Sequence, residues 1–318
     1  MTLPDHNDPL SICIPFILTH LRRQKRNPPR RPLIIGLNGV QGVGKTTLVA
    51  SLAQALAGKK IDANSGGGGG GSSNIKTLVF SLDDFYLTHQ DQLALAAANP
   101  GNALVQHRGE PGTHDTKLLK SVFKDLLTAQ PTKIPRYDKA LFSGQGDRLP
   151  PEAWTPVNQP GDEPIQVILF EGWAVGFRPL SDEDVEAKWE GTTPTTTTTT
   201  SRTLRQHRLE HLLFINDKLR DYDAVTDSLD ALIHVDAEDV QHVYAWRQEQ
   251  EESLRRARGD PSAGMTPEQV VRFVDGYFPA YGLYTDGVRG GVFKDRPGQC
   301  QLRLIVGRDR KVKQVVHI

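Results

Sequence analysis

Short apolar runs alternate with segments of helical periodicity along most of the chain. The runs predict five strands, namely Leu33–Leu37, Thr77–Leu82, Gln166–Phe170, Ala231–Val235 and Leu302–Val306. Between them, apolar residues recur every three to four positions and predict helices, among them Lys117–Leu127, Asp239–Arg258 and Pro267–Phe278. Strands that alternate with helices in this way indicate an α/β fold with a mostly parallel, five-stranded sheet and helices on both faces.

The N-terminal 31 residues have a different character. A short amphipathic helix is predicted from Ile12 to Leu21, and a connector rich in proline and basic residues follows it. The basic residues are Arg22, Arg23, Lys25, Arg26, Arg30 and Arg31. They could form a nuclear-localisation or nucleic-acid patch, but a solvated connector is favoured because the rest of the chain is not basic. We therefore divide the chain into residues 1–31 and a domain over residues 32–318.

Two low-complexity tracts interrupt the globular pattern. Ser65–Ser73 is nearly all glycine and serine, and Thr192–Ser201 is mostly threonine. Neither composition can bury a core. Loop-closure entropy grows slowly with loop length, so long surface insertions are tolerated. We predict flexible inserts over residues 63–74 and 190–203, without a chemical role.

The overall composition narrows the class of protein. Lys and Arg together number 38, as do Asp and Glu, so the formal net charge is zero and neither nucleic acid nor a membrane surface is an expected partner. The two cysteines, Cys13 and Cys300, cannot form a metal site or a disulfide framework and indicate a reducing compartment. The Ile12–Leu18 run is too short to span a bilayer, and no basic region precedes it. We expect a cytoplasmic location, with the nucleus as an alternative.

A glycine-rich octapeptide supplies the first chemistry. Gly39–Thr46 reads GVQGVGKT, directly after the first strand and before a helical segment, which is the context that a phosphate-binding loop requires. Its backbone N–H groups, Lys45 and Thr46 predict a P-loop NTPase fold that binds ATP and Mg²⁺. The residues expected to bind the nucleotide are Gly39, Val40, Gln41, Gly42, Val43, Gly44, Lys45, Thr46 and Thr47.

Acidic residues follow two of the other predicted strands. Asp83 and Asp84 come after Thr77–Leu82, and Glu171 comes after Gln166–Phe170. Ligands of parallel sheets bind at the carboxyl ends of strands, and phosphoryl transfer to a hydroxyl needs a proton acceptor and a metal-binding group there. Acids at strand ends can instead cap the next helix, and for Asp84 the two interpretations weigh equally.

Together these segments resemble the phosphoribulokinase and uridine kinase superfamily. Within it, further motifs are similar to the plant and fungal D-glycerate 3-kinase family. They are RGEPGTHD (108–115), PRYDK (135–139), GQGDR (144–148), VYAWRQEQE (243–251), GMT (264–266) and YFPAY (277–281). The resemblance spans about residues 33–307 apart from the low-complexity tracts. It implies an ATP-dependent kinase with a helical lid, over about residues 239–266, and D-glycerate as the acceptor.

The resemblance also implies roles for single residues. Asp83 corresponds to the catalytic base, Glu171 to the magnesium-binding glutamate and Asp115 to a residue that binds acceptor hydroxyls. Arg247 and Arg255 correspond to lid arginines that close over the triphosphate, which makes Lys45, Asp83 and Arg247 the expected catalytic residues. The residues expected to contact the acceptor are Asp84, Tyr86, Arg108, His114, Asp115, Arg136, Tyr137, Lys139 and Arg148.

Helix geometry is compatible with the lid role. Arg247, Arg255 and Arg258 fall within roughly an 80° arc of one helix and could neutralise charge on the γ-phosphate. An exposed charged face that pairs with Glu249, Glu251 and Glu252 is an equally common arrangement.

An anionic acceptor would need a cation at its carboxylate, which Arg136, Lys139 or Arg148 could provide, although each could also be a surface charge. His114 could contact the acceptor or be structural, and Trp173 and Phe177 are expected to pack in the core.

Two alternatives to a glycerate kinase remain open from sequence. The acceptor could be a nucleoside or pantothenate, because acceptor choice depends on a few contacts. The chain could also be a non-catalytic ATP-binding regulator. A GTPase is disfavoured because no NKxD motif is present.

Overall fold

A central sheet organises the protein. The computed structural model describes residues 8–26, 31–62, 72–192, 203–293, 296 and 299–318. The strands are β1 (Leu33–Gly39), β2 (Lys60–Asp62), β3 (Ser72–Asn74), β4 (Thr77–Ser81), β5 (Thr132–Ile134), β6 (Tyr137–Asp138), β7 (Asp147–Arg148), β8 (Thr155–Val157), β9 (Val167–Gly172), β10 (Ala231–Ala237), β11 (Gln301–Val306) and β12 (Val312–His317).

The helices lie between and around these strands. They are α1 (Pro9–Arg26), α2 (Lys45–Ala57), α3 (His89–Ala98), α4 (Thr116–Leu127), α5 (Asp182–Glu190), α6 (Leu209–Leu219), α7 (Asp223–Asp227), α8 (His242–Arg258), α9 (Pro267–Asp275) and α10 (Phe278–Gly290). Short 3₁₀ turns add to them, including Leu82–Phe85 and Arg220–Tyr222.

The sheet order is β12-β11-β10-β1-β9-β4. Five of these strands are parallel to one another, namely β1, β4, β9, β10 and β11. Every residue of β1, β9 and β10 is buried. Because successive side chains point to opposite faces of a sheet, this burial requires cover on both faces. The strand that leads into the P-loop therefore lies at the centre of the sheet, between β9 and β10, and delivers the loop to its carboxyl edge.

The predicted five strands all form, but the sheet has a sixth strand. β12 pairs antiparallel with β11 at the edge of the sheet. The prediction missed it because only one of its six residues is buried, so the apolar pattern of a core strand is absent. A second difference concerns the predicted helix Pro267–Phe278, which is two helices, α9 and α10, separated by Gly276 and Tyr277.

The N-terminal helix is longer than predicted, since α1 continues five residues beyond Leu21 to Arg26. It packs against α2, β1 and β11, and Cys13, Phe16 and Ile17 join the main core. Of the predicted flexible inserts, residues 63–71 and 193–202 lie outside the described residues, as does Arg30 of the basic connector. Ser72–Asn74, at the end of the first insert, is strand β3 and pairs with β2.

Candidate active site

The P-loop connects β1 to α2 at the carboxyl edge of the sheet. Helix α2 begins at Lys45, so the N–H groups of its first turn lie within the loop. The Nζ atom of Lys45 donates hydrogen bonds to the carbonyl oxygens of Gly39 at 2.8 Å and Val40 at 3.1 Å. Burial lowers the pKa of Lys45, while the carboxylates of Glu171 and Asp83 oppose that shift. A cation thus lies inside the loop with two carboxylates nearby.

Segments remote in sequence hold the P-loop in place. Gly42 has a φ of +75°, and a Cβ atom there would lie 2.6 Å from Cβ of Trp246 in α8. The carbonyl oxygen of Gly42 accepts a hydrogen bond from Nε of Arg310 at 2.8 Å. The N–H of Gln41 donates to the Tyr281 hydroxyl at 3.2 Å. Close packing with α8 therefore requires glycine at position 42.

Arg310 and Trp246 form one connected group with the P-loop. The guanidinium of Arg310 lies 5.4 Å from the centre of the Trp246 ring and pairs with Glu249 at 2.7 Å. The indole Nε1 of Trp246 donates to the Arg308 carbonyl oxygen at 2.7 Å. Sequence reasoning missed Arg310 because it lies in the turn before the unpredicted strand β12. The sequence signal for Arg310 is the basic character of this turn, which also contains Arg308.

Asp83 lies in the 3₁₀ turn Leu82–Phe85, directly after β4. Its Oδ2 atom is 2.5 Å from Nζ of Lys139, which is 57% exposed, whereas the Asp83 side chain is 26% exposed. Burial alone would raise the pKa of Asp83, but the charge and hydrogen bond of Lys139, with His114 and Lys45, hold that pKa below its usual value. Asp83 is therefore an ionised carboxylate beside the P-loop lysine.

Asp84 has a different environment from Asp83. Its Oδ2 atom accepts the N–H of Ser81 at 3.1 Å, while the Ser81 hydroxyl accepts the N–H of Asp83 at 3.2 Å. This reciprocal pair is a capping box. The geometry favours the capping interpretation of Asp84 over contact with an acceptor.

Glu171 lies within β9 rather than after it, one residue before the strand ends. It is in register with Leu37 of β1 and Ser81 of β4, and it is 9% exposed. Burial raises the pKa of Glu171, and the nearby Lys45 charge counteracts part of that effect. The Thr46 hydroxyl belongs to an exposed residue in the first turn of α2.

Oxygen donors from Glu171 and Thr46 are compatible with Mg²⁺, which commonly binds one or two protein oxygens together with nucleotide phosphates and water. No group of three or more His, Cys, Asp or Glu side chains with metal-binding spacing occurs in the described part of the chain.

The motif at residues 108–115 contributes a wall of the site through the antiparallel bridge between His114 and Tyr86, next to the turn that carries Asp83. His114 stacks on Tyr86 with ring centres 4.3 Å apart, and its Nδ1 atom is 2.7 Å from the Tyr222 hydroxyl. Tyr86 also contacts the ring edge of Tyr137 at 5.4 Å between centres. Burial lowers the pKa of His114 to about 4, and Asp83 is near enough to oppose that shift.

The cationic residues of this wall differ in their pairing. Arg148 lies 3.1 Å from Asp115, whose other carboxylate oxygen caps α4 by accepting the N–H of Leu118 at 2.9 Å. Arg108 donates to the carbonyl oxygens of Gly144 and Gln145 and lies 5.7 Å from the centre of the Tyr137 ring.

Arg136 is exposed, and Lys139 pairs with Asp83. Within the described ranges, Arg108 has no carboxylate within 4.0 Å. Arg136 likewise forms no ion pair in these ranges, but Arg108 is the one of the two whose guanidinium contacts the Tyr137 ring and the Gly144 carbonyl oxygen.

The predicted lid arginines lie in α8 and contact residues of α8, of α9 and of the segment between these helices. Arg247 pairs with Glu251 and lies 4.7 Å from the centre of the Phe273 ring in α9. Arg255 donates to the Met265 carbonyl oxygen. The alternative interpretation was a charged helix face in which the arginines pair with acidic residues of the same helix, and the pair of Arg247 with Glu251 agrees with it. Glu249, another acid of that face, pairs with Arg310 instead.

Arg258 is exposed at the end of α8. Trp173 and Phe177 are buried, as expected for core residues, and their rings meet edge to face at 5.7 Å. In the described ranges, none of the helices is both long enough and apolar enough to span a bilayer.

A P-loop after β1, with Glu171 on the adjacent strand β9 and Asp83 after the next strand β4, is the arrangement expected of a P-loop kinase. The chain is 36% identical over 278 residues to the uncharacterized kinase mug58 of Schizosaccharomyces pombe, across 86% of this chain and 88% of that protein. It is 35% identical over 277 residues to chloroplastic D-glycerate 3-kinase of Arabidopsis thaliana, across 86% of this chain and 52% of that protein.

Among solved structures, D-glycerate 3-kinase from Cryptococcus neoformans superposes with a TM-score of 0.80 at 31% identity, across 97% of this chain and 99% of that chain. No family model matches the chain. The sequence identity and the shared fold lead to one conclusion. The chain belongs to the D-glycerate 3-kinase family of P-loop kinases, and it is an ATP-dependent kinase.

Proposed function

We propose that the protein transfers the γ-phosphoryl group of ATP to a hydroxyl of D-glycerate and forms 3-phosphoglycerate. The observation that carries this proposal is that Asp83 follows β4 at the same carboxyl edge of the sheet as the P-loop, with Glu171 on the strand between them. The charges of Asp83 and Lys45 also act on each other's pKa. The names of the Arabidopsis and Cryptococcus proteins support glycerate as the acceptor.

Asp83 serves as the base in this proposal. The acceptor oxygen forms a bond to the γ-phosphorus, the bond from that phosphorus to the β,γ-bridging oxygen breaks, and the hydroxyl proton passes to Asp83. Lys139 contacts only one Asp83 oxygen, Oδ2, which leaves Oδ1 for the acceptor hydroxyl. The depressed pKa of Asp83 keeps its carboxylate ionised at neutral pH.

Lys45 and the loop amides supply electrostatic stabilisation. Phosphoryl transfer places negative charge on the phosphate oxygens, and donors that are already oriented stabilise that charge most effectively. Glu171 and Thr46 would hold Mg²⁺, which would neutralise phosphate charge when bound. Arg247 and Arg255 would approach the triphosphate from α8, the helix whose Trp246 packs against the P-loop.

The acceptor carboxylate would bind at the wall formed by residues 108–148. Arg108 is the preferred anchor, because its guanidinium lies in this wall and contacts carbonyl oxygens rather than a carboxylate. Arg–carboxylate pairs are strong and directional. Arg136, Lys139 and Arg148 would add positive charge around this anchor, and Asp115 and Tyr86 would border it.

A coupled assay that measures ADP release tests the proposal. The purified protein is given ATP, Mg²⁺ and one candidate acceptor, either D-glycerate, L-glycerate, lactate, uridine or pantothenate. We expect D-glycerate to stimulate ADP release far above the rate without acceptor, and the product to carry phosphate on the C3 hydroxyl. Stimulation by uridine or pantothenate but not by glycerate would reject glycerate as the acceptor.

We also propose a cytoplasmic location. The support for it is the pair of unlinked cysteines, of which Cys13 is buried and Cys300 is partly buried. Microscopy of the full chain with a fluorescent tag tests this location, and a signal confined to an organelle would contradict it.

A further inference from the structure

The ring of His114 lies between two tyrosines in a buried position. It is 4% exposed, stacks on Tyr86 and approaches the Tyr222 hydroxyl through Nδ1 at 2.7 Å. Tyr222 belongs to the 3₁₀ turn Arg220–Tyr222, more than 100 residues away in the chain, and it is absent from every motif that points to the active site. The contact therefore fixes the ring from outside the predicted site.

The proton of the Tyr222 hydroxyl decides which nitrogen of His114 carries hydrogen. The N–H of Gly112 donates to Tyr222 Oη at 3.4 Å, so the oxygen acts as an acceptor on that side. The backbone N–H of His114 also donates to this oxygen. A hydroxyl has a single proton, and within the described ranges the acceptor that it reaches is Nδ1 of His114. Nδ1 is therefore the acceptor.

It follows that the neutral ring holds its hydrogen on Nε2. The ring is neutral at pH 7 because burial lowers the pKa of His114 to about 4. In a neutral imidazole one nitrogen accepts and the other donates. Since Nδ1 accepts from Tyr222, Nε2 is left as an N–H donor.

In the part of the chain that the structure describes, this donor has no protein partner. Nε2 of His114 is buried and makes no hydrogen bond among the described residues. A buried donor without a partner is destabilising and is rare in proteins. The antiparallel bridge between His114 and Tyr86, and the hydrogen bond from the Asp115 N–H to the Phe85 carbonyl oxygen, place the ring next to the turn that carries the proposed base Asp83.

We propose that Tyr222 is a positioning residue that fixes His114 as the Nε2–H tautomer, so that His114 donates a hydrogen bond to an oxygen of the hydroxy-acid acceptor. This inference rests on the proposed function and deepens it. The bound oxygen is one that does not react, because a hydrogen bond donated to the attacking oxygen would reduce its nucleophilicity. His114 thereby selects acceptors that present a second oxygen beside the hydroxyl.

The tautomer can be measured without any acceptor. In protein labelled with ¹⁵N-histidine, two-bond ¹H–¹⁵N correlations distinguish a protonated Nε2 from a protonated Nδ1, and the variant His114→Gln identifies the signals of this ring. We expect Nε2 protonated and Nδ1 unprotonated at pH 7. A ring with hydrogen on Nδ1 in the unaltered protein would overturn the proposal, whichever acceptor the enzyme uses.

Variants then test the positioning role. Tyr222→Phe keeps the aromatic ring and removes the hydroxyl, and we expect the His114 spectrum to change to a mixture of tautomers. We expect the KM for the acceptor to rise about fivefold, the loss of one hydrogen bond of about 1 kcal/mol, while the KM for ATP is unchanged. An unaltered ring spectrum and acceptor KM would overturn the proposal.

Two further variants separate positioning from folding. Tyr284→Phe is the matched control, because its hydroxyl is also buried but has no partner in the described part of the chain. Both KM values should stay at their original level.

His114→Gln carries an N–H donor in place of Nε2 and should retain more acceptor affinity than His114→Ala. Equal losses in these two variants would contradict a hydrogen-bonding role. If no hydroxy acid is phosphorylated, the proposed substrate is wrong. The tautomer measurement is independent of that result, because it is made without an acceptor.

Discussion

The nucleotide side and the acceptor side of the site are built in different ways. The nucleotide side is one continuous loop between β1 and α2, and its neighbours Trp246 and Arg310 only restrict its conformation. The acceptor side consists of residues 83–148, where strands have two or three residues and the turns are irregular. A continuous motif therefore makes one half, and pairs of residues distant in sequence make the other.

The two halves also differ in how their charges are arranged. On the nucleotide side the Lys45 ammonium contacts backbone carbonyl oxygens. On the acceptor side, charged side chains pair with one another, as in Asp83 with Lys139 and Asp115 with Arg148. We infer that changes on the nucleotide side affect ATP affinity, whereas changes on the acceptor side affect acceptor affinity and catalysis.

The largest expected effect is on the acceptor side, at Asp83. Asp83→Asn removes the proton acceptor while the shape of the residue is nearly preserved. General-base catalysis contributes about 10²–10⁴-fold, so we expect kcat to fall by about that factor while the ATP Kd, measured by calorimetry, changes little.

Asp84→Asn is the matched control for Asp83→Asn, because it makes the same change one residue along the chain. The asparagine side-chain oxygen can still accept the N–H of Ser81. We expect a rate close to that of the unaltered enzyme. A kcat for Asp83→Asn as high as that of Asp84→Asn would remove Asp83 from the role of base.

The next effect is on the nucleotide side, at Gly42. In Gly42→Ala the added Cβ atom would lie 2.6 Å from Cβ of Trp246, and alanine would have to adopt a φ of +75°. Such strain is worth about 1–3 kcal/mol. We therefore expect the ATP Kd to rise about 10- to 100-fold, with little change in the KM for the acceptor.

The control for Gly42→Ala is Gly58→Ala at the end of α2. Gly58 has an ordinary φ of −80°, and an added Cβ atom would meet its nearest neighbour at 3.8 Å. Its ATP Kd should equal that of the unaltered protein. If Gly42→Ala raised the acceptor KM and left ATP binding intact, the inference that changes on the nucleotide side affect ATP affinity would be wrong.

A smaller effect is expected at Arg310. Arg310→Ala removes the hydrogen bond to the Gly42 carbonyl oxygen and the contact with Trp246. Its ion pair with Glu249 is partly exposed to solvent and adds little. We expect the ATP Kd, measured by calorimetry, to rise about fivefold, as the loss of about 1 kcal/mol predicts.

Arg308→Ala tests whether position rather than charge matters in this turn. Arg308 is exposed, and its contact with Trp246 uses only its carbonyl oxygen. Its removal should leave ATP binding unchanged. Equal losses of affinity in the two arginine variants would indicate a general electrostatic effect rather than the specific contact with Gly42.

The same difference between the halves explains what the sequence could predict. β1, β9 and β10 were predictable because fully buried parallel strands read as continuous apolar runs. The P-loop was predictable because its residues are consecutive. β12 was not, since its exposed edge position leaves a weak apolar pattern.

The contacts of the acceptor side were harder to predict. The pairing of Lys139 with Asp83 joins residues 56 positions apart, and that of His114 with Tyr222 joins residues 108 positions apart. No local pattern encodes such pairs, because they depend on how the chain between them folds. The capping role of Asp84 was one of two interpretations that the sequence left equal, and only the hydrogen bond to Ser81 favours it.

The smallest effect concerns the charge pair of the acceptor side. Lys139→Met removes the cation beside Asp83. Burial then acts on Asp83 with less opposition, so the pKa of Asp83 rises from its lowered value. Because Asp83 must be ionised to accept a proton, the acid limb of kcat/KM for the acceptor should move to higher pH.

The sign of the stability effect follows from the same pKa. A carboxylate whose pKa is lower in the folded than in the unfolded protein stabilises the fold above the unfolded pKa, and this stabilisation disappears as the pH falls through the folded pKa. Lys139→Met should therefore reduce the unfolding free energy at neutral pH and have little effect in strong acid. The reduction should be small, because more than half of the Lys139 side chain is exposed.

Lys133→Met provides the comparison for both measurements, since Lys133 is exposed and donates to the Pro151 carbonyl oxygen rather than to an acid. For Lys133→Met, the acid limb of kcat/KM for the acceptor should coincide with that of the unaltered enzyme. If Lys139→Met also left the limb in place, the Lys139 charge would not control the ionisation of Asp83. The base would then owe its ionised state to the P-loop lysine, and the two halves of the site would be electrostatically one unit.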